Sequence, residues 1–409
     1  MPAKVLHLIT SLNMGGAETM LCQVLEHTDR QRFAPIVVSL RPESALSPRV
    51  RATGFPLHHL DMRGWRSGGE GWSKLRKLLR EEKPDLVQTW MYHANLLGSL
   101  ALAGSKMRPP LVWNITHGAM PKGSAKILSQ LLRRALAPVS SRSPDRIIVC
   151  AHSAIEEHAR LGYSRARMTY VSNGVDCVRF APDATARAEV RAELGIPAEA
   201  PVVGISARYN SLKDYPTFFA AVRHLEKKIP QAHFVACGGS VSDANAELAR
   251  EKQSCARPEH VHLLGPRTDM PRVLSAWDLA TLCSVCEAQP LSLCEALACG
   301  LPCVATDAGD SSDIIGSIGE VVPIGNPEAL ARAWEITLCL PLNRRDNLRK
   351  AARERALERF ALPNVVRQYE DLYEKMLEDR GANECQIARY ELNESRGKQA
   401  DLGMLKGKV

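Results

Sequence analysis

A chain of 409 residues with 45% apolar and 24% charged side chains is long enough for two domains with large cores, and its balance excludes a disordered or fibrous protein. No apolar run reaches the roughly 20 residues that span a bilayer, because Ala94–Ala103 is short and broken at Gly98, and twelve cysteines without a paired framework suit a reducing compartment. Charge is uneven: residues 1–180 carry 25 Lys and Arg against 13 Asp and Glu, and the remainder carries 28 against 32, so the first half suits an anionic surface or partner.

Lys4–Thr10 predicts a first strand, and Ser11–Glu18 a loop entering a helix that runs through Leu25. Val5–Leu12 is too short for a leader peptide and runs straight into Gly15-Gly16, so a cytoplasmic location is expected. Two consecutive glycines let backbone approach a phosphate, although the dinucleotide pattern Gly-x-Gly-x-x-Gly is absent. Pro35–Leu40 and Leu57–Leu60 predict strands, and Trp72–Glu82 a basic helix. Asp85–Thr89 predicts a strand ending at Trp90-Met91-Tyr92-His93, and Leu111–Ile115 one ending at Thr116-His117-Gly118. Strands and helices alternating at this rhythm imply a parallel, doubly wound sheet, and they place His93 and His117 at strand carboxyl ends. A lone histidine there is more often structural than chemical. Lys122–Ala137 sets Ile127, Leu128, Leu131, Leu132 and Leu136 beside Lys126, Arg133 and Arg134. It suits an anionic membrane face or a core-facing helix with a wet basic side. Arg146–Cys150 is a further strand, and Asn173-Gly174 in Tyr170–Asp176 is a turn that carries the chain towards the second half.

Val202–Ser206 opens a second sheet, with Arg208 and Lys213 in the loop before a helix at Tyr215–Leu225. His233–Cys237 and Val261–Leu264 follow, the latter leading to Gly265, Arg267 and Asp269. Leu279–Cys283 is an apolar run suited to a buried strand. Glu287 lies in the next loop, and Pro290 stands at the expected first helical position. Leu291, Leu293, Leu297 and Ala298 recur at helical spacing until Gly300 and Pro302. Leu301–Thr306 is another buried strand, and Asp307–Asp310 leads into a helix capped by Ser311 or Ser312. Glu287 and Glu295 both face the crevice at the strand ends, and the N–H groups around Leu291 and Ser292 suit a phosphate. Two carboxylates around an anion site fit a ribose and a hexose on either side of a diphosphate. Cys283 and Cys286 are spaced like a metal or redox pair, but no second pair exists, so buried thiols are expected. Arg353–Leu377 predicts amphipathic helices broken near Pro363, and 379–409 a disordered or weakly helical tail.

The pair Glu287 and Glu295, set in Glu-x7-Glu spacing among Pro290, Gly300, Pro302 and Ala305-Thr306, resembles the retaining GT-B glycosyltransferases of family 4. The resemblance extends from about residue 4 to 377 and includes Asn173-Gly174-Val175-Asp176. It implies an α/β GT-B fold: two Rossmann-like, doubly wound parallel-sheet domains at 1–182 and 183–362 facing across a cleft, with a return helix at 363–378. It implies transfer of a sugar from a nucleotide diphosphate sugar, a UDP-sugar or GDP-mannose, with retention at the anomeric carbon. By the same resemblance Glu287 holds the donor sugar, Glu295 the ribose, and Arg208 and Lys213 the diphosphate. Gly15, Gly16, Leu291 and Ser292 lie near the donor, Gly265 and Arg267 beside its base, His117 near the reacting sugar, and His93 on the acceptor side. No metal or other cofactor is expected, and no nucleic acid. The acceptor implied is a lipid-linked saccharide or polysaccharide of lipopolysaccharide, capsule or exopolysaccharide synthesis, met by a peripheral enzyme on the inner face of the cytoplasmic membrane. An epimerase or phosphorylase on the same scaffold, or an inert nucleotide-sugar-binding protein, are the alternatives. Ala288 and Asp310 stand where the family has glycines, and Asp313 where it has Glu.

Overall fold

Strands of Val, Leu, Ile and Ala buried on both faces need helices on either side, and that requirement leads to parallel sheets. The computed structural model describes residues 1–63, 65–104, 108–116, 118 and 127–381. Its first sheet comprises β1 Ala3–Ile9, β2 Phe33–Ser39, β3 Leu57–His59, β4 Leu86–Trp90, β5 Leu111–Ile115, β6 Arg146–Val149 and β7 Met168–Tyr170. These strands pair in parallel in the order β3-β2-β1-β4-β5-β6-β7. The second sheet comprises β8 Val202–Ser206, β9 His233–Cys237, β10 Val261–Leu263, β11 Leu279–Leu282, β12 Cys303–Thr306 and β13 Glu320–Val322, in the order β10-β9-β8-β11-β12-β13, again all parallel. Each order reverses once, between β1 and β4 and between β8 and β11. Loops leaving such strands at their carboxyl ends form the ligand crevice of open α/β sheets.

Alternation along β1 feeds both layers of the first core. Val5 and Ile9 join the cluster of Leu21, Leu25 and Trp90, while Leu6 and Leu8 join Leu102 and Trp113 on the other face. In the second sheet, Gly204 lets β8 pass the Trp277 indole: a Cβ there would fall 1.9 Å from the ring. Asp278, at the entry to β11, holds Arg187 and Arg191 at 2.7 Å each, accepts the Val202 N–H at 2.9 Å, and meets Arg349 at 3.4 Å.

The chain crosses between domains twice, and the crossings run side by side. Val175 donates its N–H to Phe360 O at 2.7 Å, and Leu362 returns a bond to Val175 O at 3.1 Å. A helix over 362–381 then packs back on the first sheet, with Leu362, Val365, Val366, Tyr369, Tyr373 and Met376 entering its core at helical spacing. Tyr369 Oη accepts from Asn114 at 2.9 Å, and Tyr373 Oη donates to the Gln88 amide oxygen.

Some local expectations change. Pro290 is the N-cap, and the helix proper starts one residue later, at Leu291. The segment read as a helix from Lys122 is described from Ile127 to Val139; residues 122–126 lie outside the described residues, as does the tail from 382. Arg133 is not on a wet side: it is buried, ion-paired with Glu157, and its carbonyl accepts the Tyr163 hydroxyl at 2.7 Å. The described cysteines are free; most are buried, Cys286 partly so, and Cys339 is exposed. Among the described residues no helix is long and apolar enough to cross a membrane.

Candidate active site

The loops after β8 and β11 flank the reversal in the second sheet, and local bonds fix both. Asn210 accepts the Leu212 N–H at 2.9 Å, forming a 3-10 turn at Ser211–Lys213. Asp214, with a left-handed φ of 47°, caps the helix Tyr215–Leu225 through Thr217. The Val285 N–H donates to Leu212 O at 2.9 Å and ties the two loops together. This arrangement brings Lys213 and Glu287 into an ion pair with side chains 21% and 13% exposed. Ser284 Oγ donates to the same Glu287 oxygen at 2.6 Å, and its own carbonyl accepts from Thr306 at 2.6 Å. Ser284, three residues before Glu287, was not singled out from the sequence; a hydroxyl in a strand-end loop carries no periodic signal. Arg208 is exposed beside Gly239, whose Cβ would stand 3.6 Å from its side chain. Among the described residues it has no ion-pair partner.

Glu295 is partly buried in the helix Leu291–Ala298. Burial pushes its carboxyl up to about 7, with the Arg179 guanidinium opposing the rise. Arg179, another residue sequence reading missed, donates to Thr268 O at 3.1 Å, linking the Asn173–Asp176 segment to the loop after β10. Leu291 and Ser292 are partly buried at the helix start. Gly265 takes a positive φ of 69° as that loop leaves β10. Arg267 is committed inside the protein: it grips Asp269 through two bonds of 2.8 Å and reaches Glu193 at 2.8 Å.

On the first domain, Gly15 caps the helix Gly16–His27 with extended backbone, and Gly16 has open space around it. Glu18 folds back over this start: a Cβ on Gly15 would fall 2.3 Å from its carboxylate. Burial raises the Glu18 carboxyl from its ordinary value, and a hydrogen bond from its own backbone N–H partly offsets the rise. His93 is exposed in the first turn of the helix Met91–Leu102, its pKa lowered by desolvation and then by Arg41. His117 lies outside the described residues. Its neighbour Gly118 abuts the loop that carries Glu287, where a Cβ would stand 2.7 Å from Glu287 O.

The sequence matches two family models, Glycosyltransferase Family 4 over residues 14–179 and Glycosyl transferases group 1 over residues 186–355. The chain belongs to the family 4 glycosyltransferases. Among relatives of this glycosyltransferase, EpsF of Bacillus subtilis, named as a glycosyltransferase, is 24% identical over 311 residues, 75% of this chain and 79% of that protein. The UDP-Gal:α-D-GlcNAc-diphosphoundecaprenol α-1,3-galactosyltransferase of Escherichia coli is 28% identical over 251 residues, 59% of this chain and 62% of that enzyme. The crystal structure of Anabaena HepE in complex with UDP superposes with a TM-score of 0.80 at 21% identity, covering 91% of this chain and all of that one. The fold is therefore GT-B. The glycosyltransferase also accommodates its departures from the family pattern. Asp313 pairs with Arg359 at 2.8 Å, Ala288 packs against the first-domain core, and Asp310 is 4% exposed, at the contact between domains.

Proposed function

We propose that this glycosyltransferase moves a sugar from a nucleotide diphosphate sugar, with retention, to a hydroxyl of a lipid-linked saccharide on the way to a surface polysaccharide. The observation that carries the reading is the grouping of Lys213, Glu287 and the exposed Arg208 at the reversal of the second sheet. A diphosphate placed there draws Lys213 from Glu287, leaving the carboxylate to accept sugar hydroxyls. As the bond from the anomeric carbon to the phosphate oxygen breaks, charge grows on the leaving diphosphate. The Lys213 ammonium and the Arg208 guanidinium stabilise that charge. The acceptor oxygen attacks on the same face, and its proton passes to the leaving phosphate oxygen. Glu295 accepts the ribose hydroxyls. The cations supply the role a metal would otherwise fill, so turnover should survive a chelator.

A uridine donor is supported by the E. coli relative, whose name specifies UDP-Gal, and by HepE, crystallised with UDP and with UDP-glucose. A lipid-diphosphate-linked acceptor is supported by that relative and by the N,N'-diacetylbacillosaminyl-diphospho-undecaprenol α-1,3-N-acetylgalactosaminyltransferase of Campylobacter jejuni, 25% identical over 317 residues. The basic first half favours work at an anionic cytoplasmic membrane face. The test is thermal stability against UDP-, GDP- and ADP-sugars. A donor at a hundred times its Kd adds about 2.7 kcal/mol. One nucleotide series should stabilise the wild type and not Glu295→Ala. No shift with any nucleotide refutes the reading in favour of an inert protein.

A further inference from the structure

The loop that carries Glu287 is fastened to the opposite domain through the neighbouring loop, 307–310. Gly309 adopts a φ of +60° and lies against the Glu287 backbone. A Cβ there would stand 2.5 Å from Ala288 O and 2.6 Å from Glu287 O. The next residue, Asp310, donates its N–H to Ala288 O at 2.8 Å. From this seat its carboxylate crosses the crevice and accepts two backbone bonds, from His152 N–H at 2.6 Å and Ser153 N–H at 2.9 Å. These are the opening residues of the first-domain helix His152–Arg160, where N–H groups lack helical partners and a negative charge is favoured. The His152 ring stacks on Tyr170 at 4.1 Å, so the docking surface is braced independently of Asp310. Gln289 makes a second crossing, its side-chain oxygen accepting the Asn173 N–H.

We propose that Asp310 is a positioning residue for sugar transfer: by capping a helix of the first domain it holds the Glu287 loop in register with the acceptor side of the cleft. The proposal rests on the glycosyltransferase reading above. A side chain with an acceptor at each of two oxygens is the group the geometry requires, because both contacts are donors. A glycine, as the family pattern has here, could make neither bond. Asp310 touches neither Lys213 nor Glu295, so its loss should leave nucleotide binding in place. What suffers is the alignment of donor sugar and acceptor, where a displacement of about 1 Å costs on the order of 10²-fold in rate.

The test compares Asp310→Ala and Asp310→Asn with wild type in four measurements: stabilisation by UDP, hydrogen exchange of the peptide around His152 and Ser153, the radius of gyration, and nucleoside diphosphate release from the stabilising UDP-sugar with a polyprenyl diphosphate N-acetylhexosamine acceptor. Asp310→Ala should keep the UDP shift, exchange faster at His152 and Ser153, expand, and lose on the order of 10²-fold in kcat with little change in donor KM. Asp310→Asn, with one accepting oxygen, should fall between. Unchanged exchange and radius in Asp310→Ala overturn the clasp whether or not the protein transfers sugar. Loss of the UDP shift in step with turnover overturns the positioning role and makes Asp310 part of the donor site. If the wild type shows no shift with UDP, GDP or ADP, the functional reading fails instead, while exchange and scattering still decide the clasp.

Discussion

Replacing Glu295 with Gln should stabilise the protein at alkaline pH and change little at acid pH. The Glu295 carboxyl is raised from 4.5 to about 7 by burial, with Arg179 opposing the rise. Between these values the folded chain holds a proton that the unfolded chain has released. Folding stability therefore falls as pH rises through this window and levels off above it. The gap is worth up to about 3 kcal/mol at pH 8. Gln has nearly the same shape and no charge, so it escapes that cost. Unfolding of both proteins at pH 5 and pH 8 should show nearly equal stability at the lower pH. At the higher pH the variant should melt several degrees above wild type, for a domain of about 200 residues. UDP binding should move the opposite way. An ionised Glu295 is the better acceptor for ribose hydroxyls, so wild-type affinity should strengthen from pH 6 to 8, while Glu295→Gln binds more weakly and without that trend. A stability difference of the same size at both pH values would refute the reasoning, because the side chain would then act through packing rather than its proton.

Other consequences follow from the same geometry. Arg208→Ala should lower turnover on the order of 10²-fold while the protein stays folded, as measured by nucleoside diphosphate release; near-wild-type turnover would remove Arg208 from the leaving-group role. Asp278→Ala strands Arg191, whose side chain is 3% exposed, without a counter-charge, and should cost about 3–5 kcal/mol in urea unfolding. A loss well below 1 kcal/mol would show that the backbone carbonyls around Arg191 hold its charge without this carboxylate. Tyr373→Phe removes the bond to Gln88 beneath the return helix and should cost about 1 kcal/mol. An unchanged midpoint would mean that the helix is held by its apolar face alone.

The sequence by itself determined the alternation of strands and helices, two parallel sheets, and the Glu287–Glu295 block, because each rests on short-range chemistry. Short apolar runs such as Leu279–Leu282 suit buried strands, and Pro290 and Gly300 bound a helix through local φ preferences. The placement of Arg208, Lys213 and Glu287 at strand ends was legible for the same reason. The tertiary structure alone decided which charges meet. The sequence does not show that Arg267 is held by its neighbour Asp269 and by the distant Glu193. Arg133 looks like part of a wet basic face, yet Glu157 draws it inward. Asp310 looks like an intruder in a glycine loop, yet its carboxylate fills the start of a helix 157 residues earlier in the chain. A side chain's charge is written in the sequence, but its partner is chosen by the packing of the two sheets, which brings together residues that no local spacing connects.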